Sequence, residues 1–255
     1  MEKLTIVKVG GKVVEEEVTL RQLLKDFSQI AGHKALVHGG GRSATKLAER
    51  LGIESQMVNG RRITDAQTLD VVTMVYGGLV NKNIVAGLQA LNINALGLTG
   101  ADMNVMRSVK RPVKDIDYGF VGDVEHTNGL LLSTLIEQDI VPVMAPLTHD
   151  GEGHMLNTNA DTIAGETAKA LAPFFDVTLV FCFEKKGVLM DENDDDSVIP
   201  QLRKPDFEKL VGEGVIQGGM IPKLENSFAA IDAGVKKVII TQASELIKAT
   251  GTEVL

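Results

Sequence analysis

The sequence has little of what marks exported, membrane-spanning or nucleic-acid-binding proteins. Its 255 residues include one cysteine, Cys182, which excludes a disulfide framework within the chain. Its longest apolar runs, such as Val177 to Phe183, are far shorter than the roughly 20 residues that a membrane-spanning helix needs. It carries 26 Lys and Arg against 34 Asp and Glu, a formal net charge of −8. Because nonspecific binding of DNA or RNA depends on cations that displace phosphate counterions, we expect neither a nucleic-acid partner nor a membrane.

The rest of the composition is typical of a globular domain. Hydrophobic residues make up 44% of the chain, enough to bury a sizeable core without disulfides. Nothing before Leu4 has the charged start and apolar run of a signal peptide, so we expect a cytoplasmic protein. The acidic run from Asp191 to Asp196 is typical of a solvated loop, and we assign no metal-ligating residue there or elsewhere in the chain.

Hydrophobic periodicity predicts alternating strands and helices. Short apolar runs predict strands at 4–9, 35–38, 95–98, 140–144, 177–183, 237–241 and 252–255. Helical spacing predicts helices at 20–30, 44–51, 65–91, 127–138, 160–171, 206–213 and 221–233, with Thr64 as the N-cap of the longest. This alternation favours an α/β fold, a three-layer αβα sandwich with a mainly parallel open central sheet.

Glycine turns follow the predicted strands at Gly10-Gly11, at Gly39-Gly40-Gly41 and, more weakly, at 97–100. Ligands of open α/β sheets bind beyond the carboxyl ends of the strands, where glycine lets the backbone N–H groups approach an anion closely. One such turn is weak support for a binding site, but three in matching positions favour a site for phosphates.

A dinucleotide-binding oxidoreductase is an alternative, because residues 39–44 fit the pattern G-x-G-x-x-A. That pattern needs an acidic residue about 20 positions later, at the end of a strand. Asp65 has the spacing, but it lies where a helix is predicted to begin, which weakens the alternative. The P-loop and protein-kinase signatures are absent.

Two lysines at opposite ends of the chain, Lys8 and Lys223, suggest phosphoryl transfer. Catalysis of that reaction consists mainly of positioning the reactants and neutralising the charge on the transferring group. Glycine turns that hold phosphates, together with two cations, are therefore the pattern expected of a small-molecule kinase.

The chain resembles the acetylglutamate kinases of the amino-acid kinase family. The resemblance runs in unbroken order from Leu4 to the C-terminus. It is carried by Lys-Val-Gly-Gly at Lys8, His-Gly-Gly-Gly at His38, Asn-Gly-Arg-Arg-Ile-Thr at Asn59, Leu-Val-Asn-Lys at Leu79, Gly-Phe-Val-Gly at Gly119, Asn-Thr-Asn-Ala-Asp at Asn157 and Gly-Met-Ile-Pro-Lys at Gly219. It implies phosphoryl transfer from ATP to the γ-carboxylate of an N-acylated glutamate, the second step of arginine biosynthesis.

The resemblance also implies roles for particular residues. Lys8 and Lys223 would flank the transferring phosphoryl group as catalytic cations, and Asp161 would orient both. Gly10 and Gly11 would bind the ATP phosphates together with the two lysines, and Mg²⁺ would be carried mainly by the nucleotide.

The amino-acid substrate would be held by a second set of residues: Gly40, Gly41, Arg62, Asn157 and Asn159. A guanidinium fork such as that of Arg62 suits the planar α-carboxylate. Arg42 and Arg61 stand where relatives usually have uncharged residues. They are predicted to contact the acyl group, which would then carry its own carboxylate, as in N-succinylglutamate. The alternative is that both arginines point to solvent.

A single domain over 1–255 is expected, with an N-terminal lobe of about 1–172 that binds the acylglutamate and forms a homodimer. The C-terminal lobe, about 173–255, would bind ATP. Phe183-Glu184-Lys185-Lys186-Gly187 departs from the family pattern, so we assign no adenine or ribose contact. Family members inhibited by arginine carry an extra N-terminal helix. Because the first strand is predicted from Leu4, we expect a dimer without such inhibition. A non-catalytic sensor of amino acid or nucleotide on the same fold remains an alternative.

Overall fold

The computed structural model describes residues 1–58, 60–248 and 250–255, so Asn59 of the quoted motif lies outside the described residues. The strands are β1 (Lys3–Val9), β2 (His33–His38), β3 (Met57–Val58), β4 (Arg61–Arg62), β5 (Ala95–Leu98), β6 (Met106–Lys110), β7 (Gly122–Thr127), β8 (Val141–Met144), β9 (Leu147–His149), β10 (Met155–Asn157), β11 (Asp176–Phe183), β12 (Gln201–Leu202), β13 (Lys237–Gln242) and β14 (Thr252–Val254). An eight-stranded sheet has the order β12-β14-β13-β11-β1-β2-β8-β5. Its neighbouring strands are parallel except for β13 and β14, so the prediction of a mainly parallel sheet is confirmed.

Helices cover both faces of this sheet. They are α1 (Gly11–Glu15), α2 (Glu17–Ser28), α3 (Gly41–Arg50), α4 (Ala66–Val72), α5 (Asn81–Gln89), α6 (Gly129–Glu137), α7 (Ala160–Leu171), α8 (Lys204–Gly212) and α9 (Met220–Asp232). One hydrophobic core lies between the sheet and α6 to α9, and a second lies between the sheet and α1 to α5. The predicted three-layer αβα sandwich is therefore correct.

The alternation of side chains along β1 determines where Lys8 points. Successive residues of a strand face opposite sides of a sheet. Leu4 and Ile6 belong to the core under α6 to α9, whereas Val7 and Val9 belong to the other core. Lys8 shares the parity of Leu4 and Ile6, so it faces the layer that contains α7 and α9.

A π-helical segment, Thr73–Val80, joins α4 to α5, and the three pieces form one long helix from Ala66 to Gln89. The prediction that Thr64 caps this helix is wrong. Asp65 is the N-cap, and its side chain accepts a hydrogen bond from the backbone N–H of Thr68. Asp65 thus caps a helix instead of ending a strand, as the dinucleotide-binding alternative would require.

The long helix has 24 residues and is, among the described residues, the one helix long and apolar enough to span a membrane. Polar residues and glycines interrupt its sequence, so no unbroken apolar run within it reaches this length. Within the fold, 44% of its most apolar stretch is buried. Val72, Val75, Ile84 and Leu88 pack into the core beneath it, which is the behaviour of a core helix.

Small antiparallel elements lie beside the central sheet. A four-stranded sheet has the order β10-β9-β6-β7, and β3 pairs with β4. Extended, β-prone residues around Arg111-Pro112 and 120–122 predict a hairpin insertion between 103 and 125, which the β6–β7 hairpin confirms, whereas β3, β4, β12 and α1 were not predicted. The loop before β7 returns to the chain after β4, where Thr64 pairs with Gly119 and Phe120 N–H donates to the carbonyl of Thr64.

We predict that Gly119→Ala destabilises the fold. Gly119 has φ +70°, and an added Cβ would overlap the carbonyl oxygen of Thr64. Gly52 has nearly the same φ of +73° but no neighbouring atom within 4 Å of an added Cβ. Gly52→Ala therefore measures the cost of the left-handed conformation alone. We expect Gly119→Ala to lose about 2 kcal/mol more than this control in urea unfolding. Equal losses would show that the Thr64 contact is unimportant.

Candidate active site

Two glycine turns meet at the carboxyl ends of β1 and β2. Gly10 N–H donates to the carbonyl of Cys182 at 2.9 Å, and Gly39 N–H donates to that of Val9 at 3.0 Å. A Cβ on Gly11 would lie 3.7 Å from the backbone nitrogen of Gly41. A Cβ on Gly39 would be closer, 3.3 Å from the backbone nitrogen of Gly11, so the two turns are packed against each other and their backbone donors lie together where we expect an anion.

The third predicted turn, at 97–100, has a different role. An added Cβ on Gly97 would overlap the side chain of Asn81, and one on Gly100 would overlap the carbonyl of Met106. These glycines allow close packing between elements. Their strand, β5, is at the edge of the sheet, and β8 lies between it and β2, so this turn does not join the other two.

Three charged side chains converge next to the glycine turns. Lys8 Nζ lies 2.7 Å from Asp161 Oδ1, and Lys223 Nζ lies 2.9 Å from Asp161 Oδ2. Both lysines are buried. One carboxylate thus holds two ammonium groups that come from β1 and from α9, 215 positions apart in the sequence numbering (223 − 8).

Local structure fixes each member of this cluster. Asp161 lies in the first turn of α7, whose N-cap is Asn159; the Asn159 side chain accepts from the backbone N–H groups of Asp161 and Thr162. Lys223 lies in the first turn of α9, and its Nζ is 4.9 Å from the ring centroid of Phe181 and 5.6 Å from that of Phe183. The two rings and the carboxylate leave the ammonium group little freedom.

Electrostatics keeps the cluster charged. Burial by itself would raise the pKa of Asp161, but the charges of Lys8 and Lys223 outweigh it and hold the pKa well below its usual range. Burial and the neighbouring charge of Lys8 lower the pKa of Lys223, and Asp161 opposes that change. The carboxylate therefore allows two like charges to remain together in a buried position.

A cavity of about 170 Å³ opens beside this cluster. Its wall includes all the residues predicted to hold the amino acid: Gly40, Gly41, Arg62, Asn157 and Asn159. Arg61 also lines the cavity. Arg42 does not, and its guanidinium instead lies 3.7 Å from Glu184.

Arg62 is held in place by partners that the sequence did not indicate. Its Nη1 donates to Ser55 Oγ at 2.7 Å, and its Nη2 donates to the carbonyl of Gly41 and to Thr45 Oγ1, both at 2.8 Å. A guanidinium has five N–H donors, so others are left to bind a carboxylate. Buried and fixed, Arg62 has donors whose orientation suits the binding of a carboxylate.

Asn157 is connected to Arg62 through the backbone turn at Thr64. Asn157 Nδ2 donates to Thr64 Oγ1 at 2.9 Å, and the Thr64 hydroxyl donates to the carbonyl of Arg62 at 3.0 Å. These two hydrogen bonds fix the orientation of the Asn157 side chain, and so of its amide oxygen, before any ligand binds.

A second group, His38 and Asn81, supports the glycine turn at 39–41. His38 Nδ1 lies 2.7 Å from the carbonyl of Gly39, which can only accept, so Nδ1 carries the hydrogen. Nε2 then accepts from Asn81 Nδ2 at 3.1 Å, and Asn81 also donates to the carbonyl of Val143. Burial lowers the pKa of His38 to about 4, so the ring is neutral near pH 7. The sequence motifs contained both residues but gave no sign of their contact.

Comparisons with known proteins agree with this geometry. Residues 3–242 match the amino acid kinase family. An acetylglutamate kinase of Phocaeicola vulgatus is 76% identical over 251 residues, which are 98% of each chain, and one of Bacteroides thetaiotaomicron is 75% identical over 99% of this chain and 98% of the relative. Among solved structures, smu.665 from Streptococcus mutans has a TM-score of 0.83 at 28% identity and covers 98% of both chains.

A more distant structure shares the fold alone. Carbamate kinase from Giardia lamblia, bound to AMP-PNP, has a TM-score of 0.72 at 14% identity over 99% of this chain and 98% of that one. The family match extends through the glycine turns, Asp161 and Lys223, and it overturns the dinucleotide-binding alternative. This chain belongs to the amino acid kinase family.

Proposed function

We propose that this protein is an acetylglutamate kinase, which transfers the γ-phosphoryl group of ATP to the γ-carboxylate of N-acetyl-L-glutamate in the second step of arginine biosynthesis. The buried cluster of Lys8, Asp161 and Lys223 beside two glycine turns carries this proposal. The full-length identity to acetylglutamate kinases supports the choice of substrate.

The reaction needs no covalent enzyme intermediate. An oxygen of the γ-carboxylate attacks the γ-phosphorus, the bond from phosphorus to the bridging oxygen breaks, and ADP leaves with that oxygen. Negative charge builds up on the oxygens around the phosphorus during this exchange. Lys8 and Lys223 neutralise it as fixed cations, while the backbone N–H groups of the glycine turns hold the reactants in line.

The substrate would lie in the cavity lined by Arg62 and Asn157. We infer that the guanidinium of Arg62 and the amide of Asn157 bind the α-carboxylate and the α-nitrogen region, and that Gly40 and Gly41 bind the reacting carboxylate. The γ-carboxylate then lies between the cavity and the lysines. The N-terminal lobe, about 1–172, supplies this cavity.

ATP would bind over the C-terminal lobe, about 173–255, with its phosphates extending to Gly10 and Gly11. The side chains at the reaction centre do not suit a resident metal ion, because both oxygens of Asp161 are paired with lysines. Mg²⁺ therefore belongs to the nucleotide substrate, as MgATP. Lys185 and Lys186 pair with Asp195 and Asp196 of the acidic run.

A non-catalytic sensor explains the site less well. Burying two ammonium groups around one carboxylate is costly, and a binding protein can hold an anion with the glycine turns and Arg62 alone. The second lysine is useful where charge develops during a reaction. We therefore favour the enzyme, and we place it in the cytoplasm with the other enzymes of small-molecule biosynthesis.

The test of the function is a hydroxamate assay for acyl phosphate with MgATP and N-acetylglutamate. We expect Lys8→Met and Lys223→Met, which keep most of the buried aliphatic stem, to lower kcat by roughly 10²-fold or more with smaller changes in KM. Lys236→Met is the matched control, because Lys236 is also ion-paired, with Asp176 at 2.9 Å, but is exposed. No acyl phosphate from the wild type, or unchanged kcat in both variants, would contradict the proposal.

A second candidate substrate, N-succinyl-L-glutamate, is favoured by Arg61. This residue lines the cavity and is partly buried, and among the described residues no carboxylate forms an ion pair with it. Burial and the nearby charge of Arg111 lower its pKa. A carboxylate on the acyl group would compensate that charge. Arg42, the other arginine predicted to contact the acyl group, lies outside the cavity lining.

Comparing the two acylglutamates tests this candidate. If the succinyl compound is the substrate, Arg61→Ala should lower its kcat/KM by about tenfold or more, the value of one charge-assisted hydrogen bond, and lower that of the acetyl compound less. Arg107→Ala, which removes an exposed arginine of β6, should change neither value. Equal or better use of N-acetylglutamate by the wild type would reject the succinyl candidate.

We propose further that the protein is a homodimer that joins through the long helix. Met74 and Leu79, both in its π-helical segment, are 53% and 57% exposed although the segment is strongly apolar. Between them, a Cβ on Gly78 would meet no atom within 4 Å. An apolar helix face with a glycine gap allows close approach of a second helix.

Light scattering on the purified protein tests the dimer. We expect a mass of twice 27.4 kDa for the wild type and a monomer for Leu79→Glu, because a carboxylate buried in an apolar interface is costly. Leu130→Glu is the matched control, since Leu130 is 66% exposed on α6. A monomeric wild type, or an unchanged dimer in Leu79→Glu, would contradict this interface.

A further inference from the structure

An ion pair between Arg42 and Glu184 joins the two sides of the glycine turn at Gly10-Gly11. Arg42 is the second residue of α3, directly after the glycine turn of β2, and Glu184 directly follows β11. The distance from Arg42 Nη2 to Glu184 Oε1 is 3.7 Å. The pair therefore joins the substrate-binding side of the site to the strand that begins the C-terminal lobe.

The order of the strands shows what lies beneath this pair. β1 lies between β11 and β2, and neighbouring strands are about 4.8 Å apart. A Cβ on Gly10 would lie 3.6 Å from Phe183 Cβ, and one on Gly11 would lie 3.7 Å from Gly41 N. Phe183 and Gly41 therefore flank the Gly10-Gly11 turn on its two sides, and Glu184 and Arg42 are the next residues in the sequence. The ion pair between them spans the turn that is expected to hold phosphates.

The same pair is close to the catalytic cations. The ring centroid of Phe183, the residue before Glu184, lies 5.6 Å from Lys223 Nζ, and the charge of Glu184 adds a smaller effect to that of Asp161 in opposing the lowered pKa of Lys223. Arg42 is thus paired with the residue that follows Phe183, and it comes from α3, in the helix layer opposite α9.

The contact is weak and easily exchanged. The side chains of Arg42 and Glu184 are 59% and 42% exposed, and 3.7 Å is too long for a hydrogen bond. Exposed ion pairs of this kind add little stability. A polyphosphate offers a guanidinium more negative charge and a geometry that it can bind with two parallel hydrogen bonds.

The site also needs a further cation. Lys8, Lys223 and Asp161 together supply one net positive charge, whereas MgATP and the reacting carboxylate still bring roughly three negative charges when the charge of Mg²⁺ is counted. Arg62 is held by Ser55, Thr45 and Gly41, and its remaining donors are assigned to the α-carboxylate of the amino acid.

Building on the proposed function, we propose that Arg42 is a phosphate-binding residue of this kinase. Glu184 holds the Arg42 side chain across the Gly10-Gly11 turn until ATP binds and replaces the carboxylate of Glu184. Arg42 exchanges a carboxylate of the protein for the phosphates of the nucleotide. Glu184 is the positioning residue, and it competes with the nucleotide for the guanidinium.

Nucleotide affinity tests the exchange directly. The affinity for Mg-AMP-PNP, measured by calorimetry, should fall roughly tenfold in Arg42→Ala, the value of one charge-assisted hydrogen bond, and less in Arg42→Lys. Arg50→Ala removes an exposed arginine at the other end of α3 and should leave the affinity unchanged. In turnover, Arg42→Ala should raise the KM for ATP and leave the KM for the acylglutamate nearly unchanged.

Glu184→Gln provides the second arm. It should strengthen Mg-AMP-PNP binding about two- to threefold in the wild-type background and have no effect in the Arg42→Ala background. The same gain in both backgrounds would overturn the exchange. An Arg42→Ala variant with wild-type AMP-PNP affinity, or with a raised KM for the acylglutamate only, would overturn the role of Arg42. Failure of the proposed function would appear separately, as a wild type that forms no acyl phosphate.

Discussion

The buried carboxylate of Asp161 is the interaction on which the site depends. Two ammonium groups in one buried position repel each other, and each has lost most of its hydration. Asp161 compensates both at 2.7 and 2.9 Å and stays ionised because both cations lower its pKa. Loss of either lysine leaves the carboxylate with one partner, and loss of the carboxylate leaves two uncompensated charges. The cluster therefore also ties the first strand to α7 and α9.

The parallel sheet explains how such distant residues meet. In the register of the sheet, Lys8 lies opposite Val37 on β2 and Phe181 on β11. The side-chain alternation that sends Lys8 toward α7 and α9 also sends Phe181 there, where its ring lies 4.9 Å from Lys223 Nζ. The neighbouring strand β2 delivers the second glycine turn to the same edge. The cluster of Lys8, Asp161 and Lys223 beside the glycine turns is thus a direct consequence of strand order and the two-residue period of the strands.

The cavity beside Arg62 and Asn157 is built differently, from short connections outside the main sheet. Arg62 ends β4, Asn157 ends β10, and the turn at Thr64 joins them through side-chain hydrogen bonds. Small irregular elements of this kind are free to change between relatives without disturbing the central sheet. Arg61, which we propose meets the acyl group, lies on β4, while the two lysines proposed to be catalytic lie on β1 and α9.

Much of this protein was determined by local sequence. Periodicity located the main strands and helices, because a half-buried strand and an amphipathic helix each need their own spacing of apolar residues. Motifs singled out Lys8, Asp161 and Lys223 as members of one site. The sequence did not reveal that Asp65 rather than Thr64 caps the long helix, since Thr64 is taken by Asn157 and Gly119. Nor did it reveal the partners of Arg62, the His38–Asn81 contact, or the pairing of Arg42 with Glu184. Those contacts join residues 7 to 142 positions apart, and only the packing of the folded chain brings such side chains within bonding distance.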